Sequence, residues 1–505
     1  MGRVKKFAAS MATGYLAMAV NIGYTMASIP LALHYLGKEE FGLWALAQQI
    51  SGYLMLLDFG MSSALSRFLA DHKDEAEGDR YGSMLLTGSL VFLIQGMVIA
   101  LVGVGLSWAA PFLFAVPAEL RLDFTLVLSL LSIVAGVSVM LRSIGSPLWA
   151  FQRLDVVNGC AALSLLLSLG WIWWAFGRGW GIYSLAAAGV PGTVAGTAIA
   201  LVICWRNGYY ARPGRWGRPQ WAVFRKVFGF GKDVVLMTLG SQLVNASQIL
   251  IIGRFIGLEA AGTFAVATKF YTLGQQFVAK VLEGAAPTLT EMFVRGETSR
   301  FRERLEQVIL LTLALSAVGG SCLAMGNRSL ISLWTSGAVS WTWGGDVFLA
   351  ALILVIGVSR CFVGVFGIVG QLQPVRYLYL LEGSVFVLLA ILAGRGFGLW
   401  GILVAMLLAH LSTTAWNAMR AAVPYLGSLR TLRRPFVVAL GILALGSVAG
   451  WLGLRAGISP LSTIFLLPLT AMLSCLLAWF YLFPYNLRGD LLGRMRRWFP
   501  FPPVK

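Results

Sequence analysis

Apolar stretches, each long enough to cross a lipid bilayer, follow one another along nearly the whole chain. The hydrocarbon core of a bilayer is about 30 Å thick, and a helix needs about 20 apolar residues to cross it. Only 12% of the residues are charged, against about 25% in soluble domains. The longest polar loop, 205–230, is too short to bury a core of its own. The sequence therefore predicts an all-α integral membrane protein.

Fourteen transmembrane helices are expected from these stretches. The first stretch, 7–36, is too long for the apolar region of a cleaved signal peptide and lacks a small-residue cleavage site, so it predicts a retained helix. The predicted spans are 8–36, 40–66, 81–107, 122–150, 155–177, 180–205, 231–256, 259–287, 306–334, 346–371, 376–394, 397–424, 435–455 and 460–484.

The orientation of these helices is predicted by the distribution of the 39 lysines and arginines. Placing both termini in the cytoplasm puts most of these cations in cytoplasmic loops, and the largest cluster falls in the 205–230 loop. A lysine and arginine bias of this kind sets the orientation of membrane helices. The net charge of +18 is then a topology signal with attraction to anionic headgroups, and no nucleic-acid partner is expected.

A four-residue motif recurs at the predicted non-cytoplasmic ends of even-numbered helices. The sequence reads FGLW at 41–44 and again at 397–400, and weaker copies read WGIY at 180–183 and AGTF at 261–264. Aromatic residues concentrate at membrane interfaces and glycine lets the chain turn. These preferences explain the residue types but not a fixed spacing.

The spacing of the motif indicates an internal repeat. Gly42 and Gly181 are 139 residues apart, and Gly262 and Gly398 are 136 residues apart. The shift between the two halves is 220 residues for the first members and 217 for the second, and LGKEEFG in the first copy aligns with IGLEAAG in the third. We infer two six-helix lobes in parallel orientation, related by an axis along the membrane normal, as in some transporter folds.

Four regions follow from this repeat. The predicted domains are an N-terminal six-helix lobe at 1–205, a basic cytoplasmic linker at 206–230, a C-terminal six-helix lobe at 231–424, and helices 13 and 14 with a basic cytoplasmic tail at 425–505.

The segment 30–71, PLALHYLGKEEFGLWALAQQISGYLMLLDFGMSSALSRFLAD, carries a family resemblance. It resembles the helix 1–2 region of the polysaccharide-biosynthesis flippases, the O-antigen and lipid-linked oligosaccharide (Wzx-type) translocases of the multidrug/oligosaccharidyl-lipid/polysaccharide (MOP) superfamily. The shared pattern is Leu-Gly-x-x-x-[Phe/Tyr]-Gly followed by Leu-x-Asp-x-Gly. Length, span number, the arrangement of six, six and two helices, and cytoplasmic termini are similar to that family across the full chain.

The resemblance implies a MATE/MOP-like transporter of the bacterial inner membrane with a central cavity. Such a protein would turn a polyprenyl-pyrophosphate-linked oligosaccharide from the cytoplasmic to the outer leaflet by alternating access of its two lobes. Its partners would be the lipid-linked glycan, the bilayer and other glycan-assembly membrane proteins.

Charged side chains inside a membrane are costly and mark functional positions, and Lys269 is the clearest case here. It lies about 10 residues into helix 8, which is roughly 15 Å deep and close to the midplane. Gln276 and Lys280 follow on the same helical face. Lys280 has a structural alternative, because Glu283 stands three residues beyond it and is within pairing distance on a helix.

Helix 2 carries a corresponding polar stripe. The 220-residue shift places Gln49 on Lys269, and Tyr53 follows one turn later on the same face. We predict that amide and aromatic side chains hold the sugar, among them Gln49, Tyr53, Gln276 and Tyr271.

Further polar residues are predicted inside other helices. Arg360 lies in the cytoplasmic half of helix 10, and Arg142 lies near the cytoplasmic end of helix 4, where it is equally suited to anchor the helix at the interface. Asn21 and Asn245 lie on helices 1 and 7, where hydrogen bonds between helices are a common alternative. Together with the lysines of helix 8, the arginines would make the inward half of the cavity positive, which suits a pyrophosphate.

Three acidic residues inside or at the edges of spans are candidates for H⁺ or Na⁺ coupling. They are Asp58, Asp233 and Glu382. The structural alternative for each is a salt bridge to a nearby cation. The expected cations are Arg67, Lys232 and Arg376.

Enzyme motifs are missing from the sequence. It contains neither the phosphate loop G-x-x-x-x-G-K-[ST] nor the zinc motif H-E-x-x-H, and its three histidines are far apart along the chain. No catalytic, metal or cofactor site is expected. Two alternatives stay open: a multidrug cation antiporter, which should line its cavity with carboxylates, and a membrane glycosyl polymerase or transferase, which should carry a large outer loop.

Overall fold

The structure, a computed structural model, describes residues 3–72, 79–370, 373–427, 430–485 and 488–489, and contains no strand in those ranges. Its contacts divide the chain into two compact units, Met1–Ala265 and Val266–Lys505. The first unit contains α1 (Arg3–Tyr35), α2 (Lys38–Leu54), α3 (Met61–His72), α4 (Arg80–Leu113), α5 (Arg121–Ala150), α6 (Leu154–Gly177), α7 (Tyr183–Ala186), α8 (Gly189–Arg206), α9 (Trp221–Asn245), α10 (Ser247–Phe255) and most of α11 (Leu258–Ala267). The second contains α12 (Lys269–Val294), α13 (Thr298–Trp334), α14 (Trp343–Val369), α15 (Gln373–His410), α16 (Trp416–Leu426), α17 (Arg430–Arg455) and α18 (Pro460–Leu477).

Eleven helical segments in the described ranges are long and apolar enough to cross a membrane. The all-α membrane class predicted from the sequence is therefore confirmed. The predicted spans 40–66 and 259–287 are each broken into shorter helices and so fall outside this set. The predicted spans 376–394 and 397–424 lie in one helical run, Pro374–Leu426. The number of fourteen spans remains a prediction.

The break in the second predicted span is a 3₁₀ turn, Met55–Asp58, followed by two residues with positive φ. Phe59 has φ 50° and Gly60 has φ 65°, and the left-handed conformation is unfavourable for a bulky residue such as phenylalanine. Contacts from the next helix support the turn, because the Gln95 side chain donates a hydrogen bond to the Asp58 carbonyl oxygen at 2.8 Å. The turn reorients the chain between α2 and α3.

The glycines of the recurring motif have two structural roles. A Cβ atom on Gly42 would lie 1.9 Å from the carbonyl oxygen of Leu258, and Gly262 faces Gly42 across the same contact, so α2 and α11 cross there backbone to backbone. Gly181 and Gly398 instead have positive φ, 52° and 59°, and Gly398 makes the kink inside α15. The pairs matched by the 220- and 217-residue shifts therefore share a role.

Small residues bring other helices into equally close contact. A Cβ on Gly96 of α4 would lie 2.4 Å from the carbonyl oxygen of Gly136 on α5. In the second unit, a Cβ on Gly446 of α17 would lie 2.2 Å from the carbonyl oxygen of Ser321 on α13. Close backbone approach of this kind is how membrane helices gain packing energy where lipid removes the hydrophobic driving force.

Replacing Gly42 with alanine should destabilise the first unit. The new methyl group cannot fit beside Leu258, and overpacking of this kind costs about 1–3 kcal/mol or more. Gly159→Ala is the matched control, since nothing lies within 4 Å of a Cβ at that position on α6. Thermal unfolding of the two purified variants in detergent measures the difference, and equal stability would contradict the crossing.

Candidate functional site

A cavity of about 670 Å³ lies in the first unit among α3, α5, α6 and α8. Its size is within the range of about 300–1,000 Å³ that is usual for small-molecule sites. Hydroxyl groups supply most of its polar lining. The hydroxyl residues are Ser62, Ser66, Ser138, Ser146, Ser164, Thr193 and Thr197. Such a lining suits a ligand rich in hydroxyl groups, because a hydroxyl both donates and accepts hydrogen bonds.

Arg142 is the one cation lining this cavity among the described residues. Its Nη1 donates to Ser62 Oγ at 3.1 Å, and the Ser62 hydroxyl donates to Asp58 Oδ1 at 2.8 Å. Arg142 Nη1 also lies 3.8 Å from Asp58 Oδ1. The expected partner of Asp58 was Arg67, so the structure corrects this pairing. The reason is the turn after Asp58, which points its carboxylate towards α5.

The sequence contained a signal for this cavity that the analysis of charges alone misses. Ser62 and Ser66 are four residues apart on α3, Ser138 and Arg142 are four apart on α5, and Thr193 and Thr197 are four apart on α8. This spacing places each pair on one helical face.

Other predicted residues of the first unit have mostly local contacts. The Tyr53 hydroxyl lies 3.0 Å from the Gln242 carbonyl oxygen and 2.5 Å from Ser247 Oγ, so it ties α2 to the junction of α9 and α10. Asn245 is exposed and donates to Ser241 within its own helix. Gln49 and Asn21 are half-buried. Asp233 belongs to α9, but its side chain lies outside the described residues.

Lys269 is the first residue of α12, immediately after a break at Thr268. Its side chain is half-buried and forms no ion pair with any residue that the structure describes. The start of a helix carries a partial positive charge, so a lysine at this position is unfavourable unless an anion is bound nearby. Lys269 therefore has the electrostatics of an anion-binding residue.

The break before Lys269 is supported by a buried network that sequence reasoning missed. Asn327 Nδ2 donates to the Ala267 carbonyl oxygen at 3.3 Å and to Asp346 Oδ1 at 2.6 Å. Asp346 also accepts hydrogen bonds from Trp341 Nε1 at 2.9 Å and from the Arg328 backbone at 3.1 Å. Asp346 stood at the predicted start of helix 10, yet nothing in the sequence pointed to Asn327 as its partner.

The remaining predicted cations of the second unit differ in their partners. Lys280 is paired with Glu283 at 2.6 Å, whereas Arg360 is exposed and lies within electrostatic range of Tyr271. Tyr271 is buried, while Gln276 is exposed on α12. Of the helix 8 stripe, Lys269 thus keeps an uncompensated charge and Lys280 does not.

Glu382 is buried, but its partner is not the expected Arg376. Glu382 Oε1 lies 2.8 Å from His410 Nδ1, and both side chains are less than one-tenth exposed. Their helical run folds back at Gly398, which brings the two residues side by side although 28 positions separate them. His410 was dismissed in the sequence because of its distance from the other histidines. No group of His, Cys, Asp and Glu in the described ranges is arranged to hold a metal ion.

Solved structures with the same fold are membrane transporters. The lipid II flippase MurJ in an inward closed conformation matches with a TM-score of 0.68 at 14% identity, covering 95% of this chain and 100% of MurJ. An inward-facing multidrug-resistance MATE transporter of the MOP superfamily matches with a TM-score of 0.64 at 14% identity, covering 79% of this chain and 94% of that one. The chain is therefore a multi-pass membrane protein with the fold of MOP transporters.

Sequence relatives specify the family within this fold. The model of a family described as "Polysaccharide biosynthesis protein" matches residues 11–293. The uncharacterized membrane protein EpsK of Bacillus subtilis (strain 168) is 24% identical over 415 residues, covering 79% of this chain and 80% of EpsK. The chain belongs to the polysaccharide biosynthesis protein family, as its 30–71 segment indicated.

Replacing Asn327 with alanine should destabilise the second unit and displace Lys269. Asp346 would lose a buried donor and the Ala267 carbonyl would be left unsatisfied, at a cost of about 1–3 kcal/mol in the free energy of unfolding. Unfolding in denaturant, followed in detergent, measures this loss. Asn207→Ala is the control, because Asn207 is exposed and bonds only to its own helix at Ile203. An equal effect of both substitutions would contradict the network.

Proposed function

We propose that this protein moves a polyprenyl-pyrophosphate-linked oligosaccharide from the cytoplasmic to the outer leaflet of the bacterial inner membrane. It does so by alternating access of its two lobes, with both termini in the cytoplasm. An ion gradient, of H⁺ or Na⁺, supplies the energy, and the other proteins of glycan assembly are its partners.

The observation that carries this proposal is the hydroxyl-lined cavity containing Arg142 in a chain of the polysaccharide biosynthesis family. A glycan presents many hydroxyl groups, which the serine and threonine side chains match. A pyrophosphate presents oxygens that a guanidinium binds in a forked, charge-assisted geometry. One cavity thus offers both kinds of partner that such a ligand needs.

Two further cations support an anionic ligand. Lys269 and Arg360 form no ion pair with a described residue, and uncompensated cations inside a membrane are retained for a ligand or a partner. The polyprenyl tail stays in the lipid, because transferring apolar chains between lipid and a polar cavity gains nothing.

The cation antiporter alternative is weakened by the same charges, since Lys269 and Arg360 repel a cationic drug. The MATE transporter of the same fold is a multidrug resistance protein, so the substrate has to be tested directly. Export of a cationic dye by reconstituted protein, with no movement of lipid-linked sugar, would favour the antiporter. Transferase activity of the purified protein would instead favour an enzyme.

Replacing Arg142 with glutamine should slow translocation of a fluorescent polyprenyl-pyrophosphate disaccharide in proteoliposomes, followed by its protection from a membrane-impermeant quencher. Loss of a charge-assisted hydrogen bond costs about 1.5–3 kcal/mol, which is about tenfold to a hundredfold in apparent affinity. The double variant Asp58→Asn with Arg142→Gln removes both charges and separates ligand binding from misfolding. Arg295→Gln, in an exposed pair with Glu291, should translocate normally, and an equal loss in Arg295→Gln would contradict the site.

Lys269 provides an independent test in the second unit. Lys269→Gln should reduce translocation by about tenfold or more, since one charge-assisted contact is lost, and Lys269→Arg should retain much of it. Lys38→Gln is the control, because Lys38 lies in an exposed pair with Glu259. A normal rate and normal surface glycan output in Lys269→Gln, at normal protein level, would remove Lys269 from the site.

A further inference from the structure

The buried histidine of the second unit sits in a chain of short hydrogen bonds. His410 Nδ1 lies 2.8 Å from Glu382 Oε1, and His410 Nε2 lies 2.7 Å from Ser359 Oγ. Their exposed fractions are 5% for His410, 6% for Glu382 and 2% for Ser359. Three polar side chains are thus enclosed between α14 and α15, where an unpaired charge would be very costly.

The positions of the hydrogen atoms follow from the acceptors available. The Ser359 hydroxyl has one hydrogen and donates it to the Val355 carbonyl oxygen, so His410 Nε2 must donate to Ser359. An ionised Glu382 can only accept, so Nδ1 must carry a hydrogen as well. The network is therefore satisfied when His410 and Glu382 together hold one proton beyond neutral histidine and ionised glutamate.

Loss of that proton would disrupt the contact. The Nδ1–H bond breaks, its electron pair stays on Nδ1, and a lone pair then faces a carboxylate oxygen at hydrogen-bond distance. The pair would change from net neutral to net −1 in a buried site, and the imidazole or the carboxylate would have to move. Uptake of a proton restores the bond, so protonation and side-chain geometry are linked.

Charged and titratable groups from each neighbouring helix face this pair. Tyr271 of α12 lies within electrostatic range of Glu382 and Arg360, and Tyr379 of α15 does so too. Arg360 of α14 follows Ser359 directly and is exposed. A change in the charge of the pair is therefore felt at a cation already assigned to the ligand.

A π-helical segment, Leu411–Ala415, begins directly after His410. Within it, the Thr413 hydroxyl donates back to the Ala409 carbonyl oxygen at 2.6 Å, and Thr414 Oγ1 is buried without a hydrogen-bond partner. A π turn holds one residue more than an α turn, and such turns are frequent at functional sites. The segment can absorb a displacement of His410 by changing its hydrogen-bond register.

We propose that the His410–Glu382 pair is the proton-binding site that couples this transporter to a pH gradient. The proposal rests on the proposed function and names the coupling ion. A sodium site needs several oxygen ligands around the cation, as other hard cations do, whereas here an imidazole nitrogen occupies the carboxylate oxygen and no group of acidic and histidine residues in the described ranges forms a cation site.

The first experiment reads the proton without using transport. The chain has three histidines, so the purified full-length protein labelled at histidine Cε1 gives three NMR resonances, assigned by His34→Asn and His72→Asn. His410 should show the doubly protonated imidazolium signature at a pH where the other two are neutral. Glu382→Gln should convert it to neutral imidazole. A neutral His410 in the wild type would overturn the proposal.

The second experiment measures translocation in proteoliposomes with an imposed pH gradient or an imposed sodium gradient. A pH gradient should change the wild-type rate several-fold and leave His410→Gln and Glu382→Gln unaffected, whereas a sodium gradient should have no effect on any variant. His72→Gln is the matched control and should respond like the wild type. A sodium response, or a retained pH response in both variants, would overturn the proposal.

The two experiments separate the two claims. If the wild-type protein moves no lipid-linked sugar but His410 keeps its imidazolium signature in a Glu382-dependent way, the substrate assignment fails and the proton site stands. If translocation is robust but His410 is neutral, the substrate assignment stands and the proton site fails.

Discussion

Direct contact between helix backbones through small residues is the interaction on which each unit depends. In water, burial of apolar side chains would hold helices together, but lipid tails are as apolar as leucine and remove that driving force. Packing then requires close approach, which Gly42 with Gly262 and Gly96 with Gly136 provide. At these crossings no side chain separates the two backbones, so a single added methyl group meets a carbonyl oxygen.

Rigid crossings allow polar groups to be placed where helices are interrupted. An interrupted helix leaves backbone groups without partners, and a buried group without a partner is costly. Asn327 satisfies the carbonyl oxygen freed at Ala267, and Gln95 satisfies the one at Asp58. Each interruption in turn directs a charged side chain, Lys269 in one unit and Asp58 in the other. Charge placement and backbone hydrogen bonding are therefore one problem in this protein.

The parts of the structure that depend on local composition could be predicted from sequence, and those that depend on contacts between helices could not. The membrane class followed from apolar length alone, and the glycine motif located a helix crossing and a kink. The partner of Glu382 was expected six residues away at Arg376, yet it is His410, because the kink at Gly398 folds the chain back on itself. Likewise, the break before Lys269 depends on Asn327, a residue almost 60 positions later whose role has no local signal. The hydroxyl groups of the cavity were visible as four-residue spacings, but serine and threonine are too common in membrane helices for that pattern to stand out without charges nearby.

The contact between Arg142 and Asp58 has a consequence for the empty carrier. A transporter that works by alternating access must also return without cargo, and a bare guanidinium would resist crossing the low-dielectric interior of the membrane. Asp58, bridged by Ser62, acts as a resident counter-ion that takes the place of the phosphate on the return stroke. At 3.8 Å the ion pair is loose, so an arriving pyrophosphate can displace the carboxylate without first breaking a tight salt bridge.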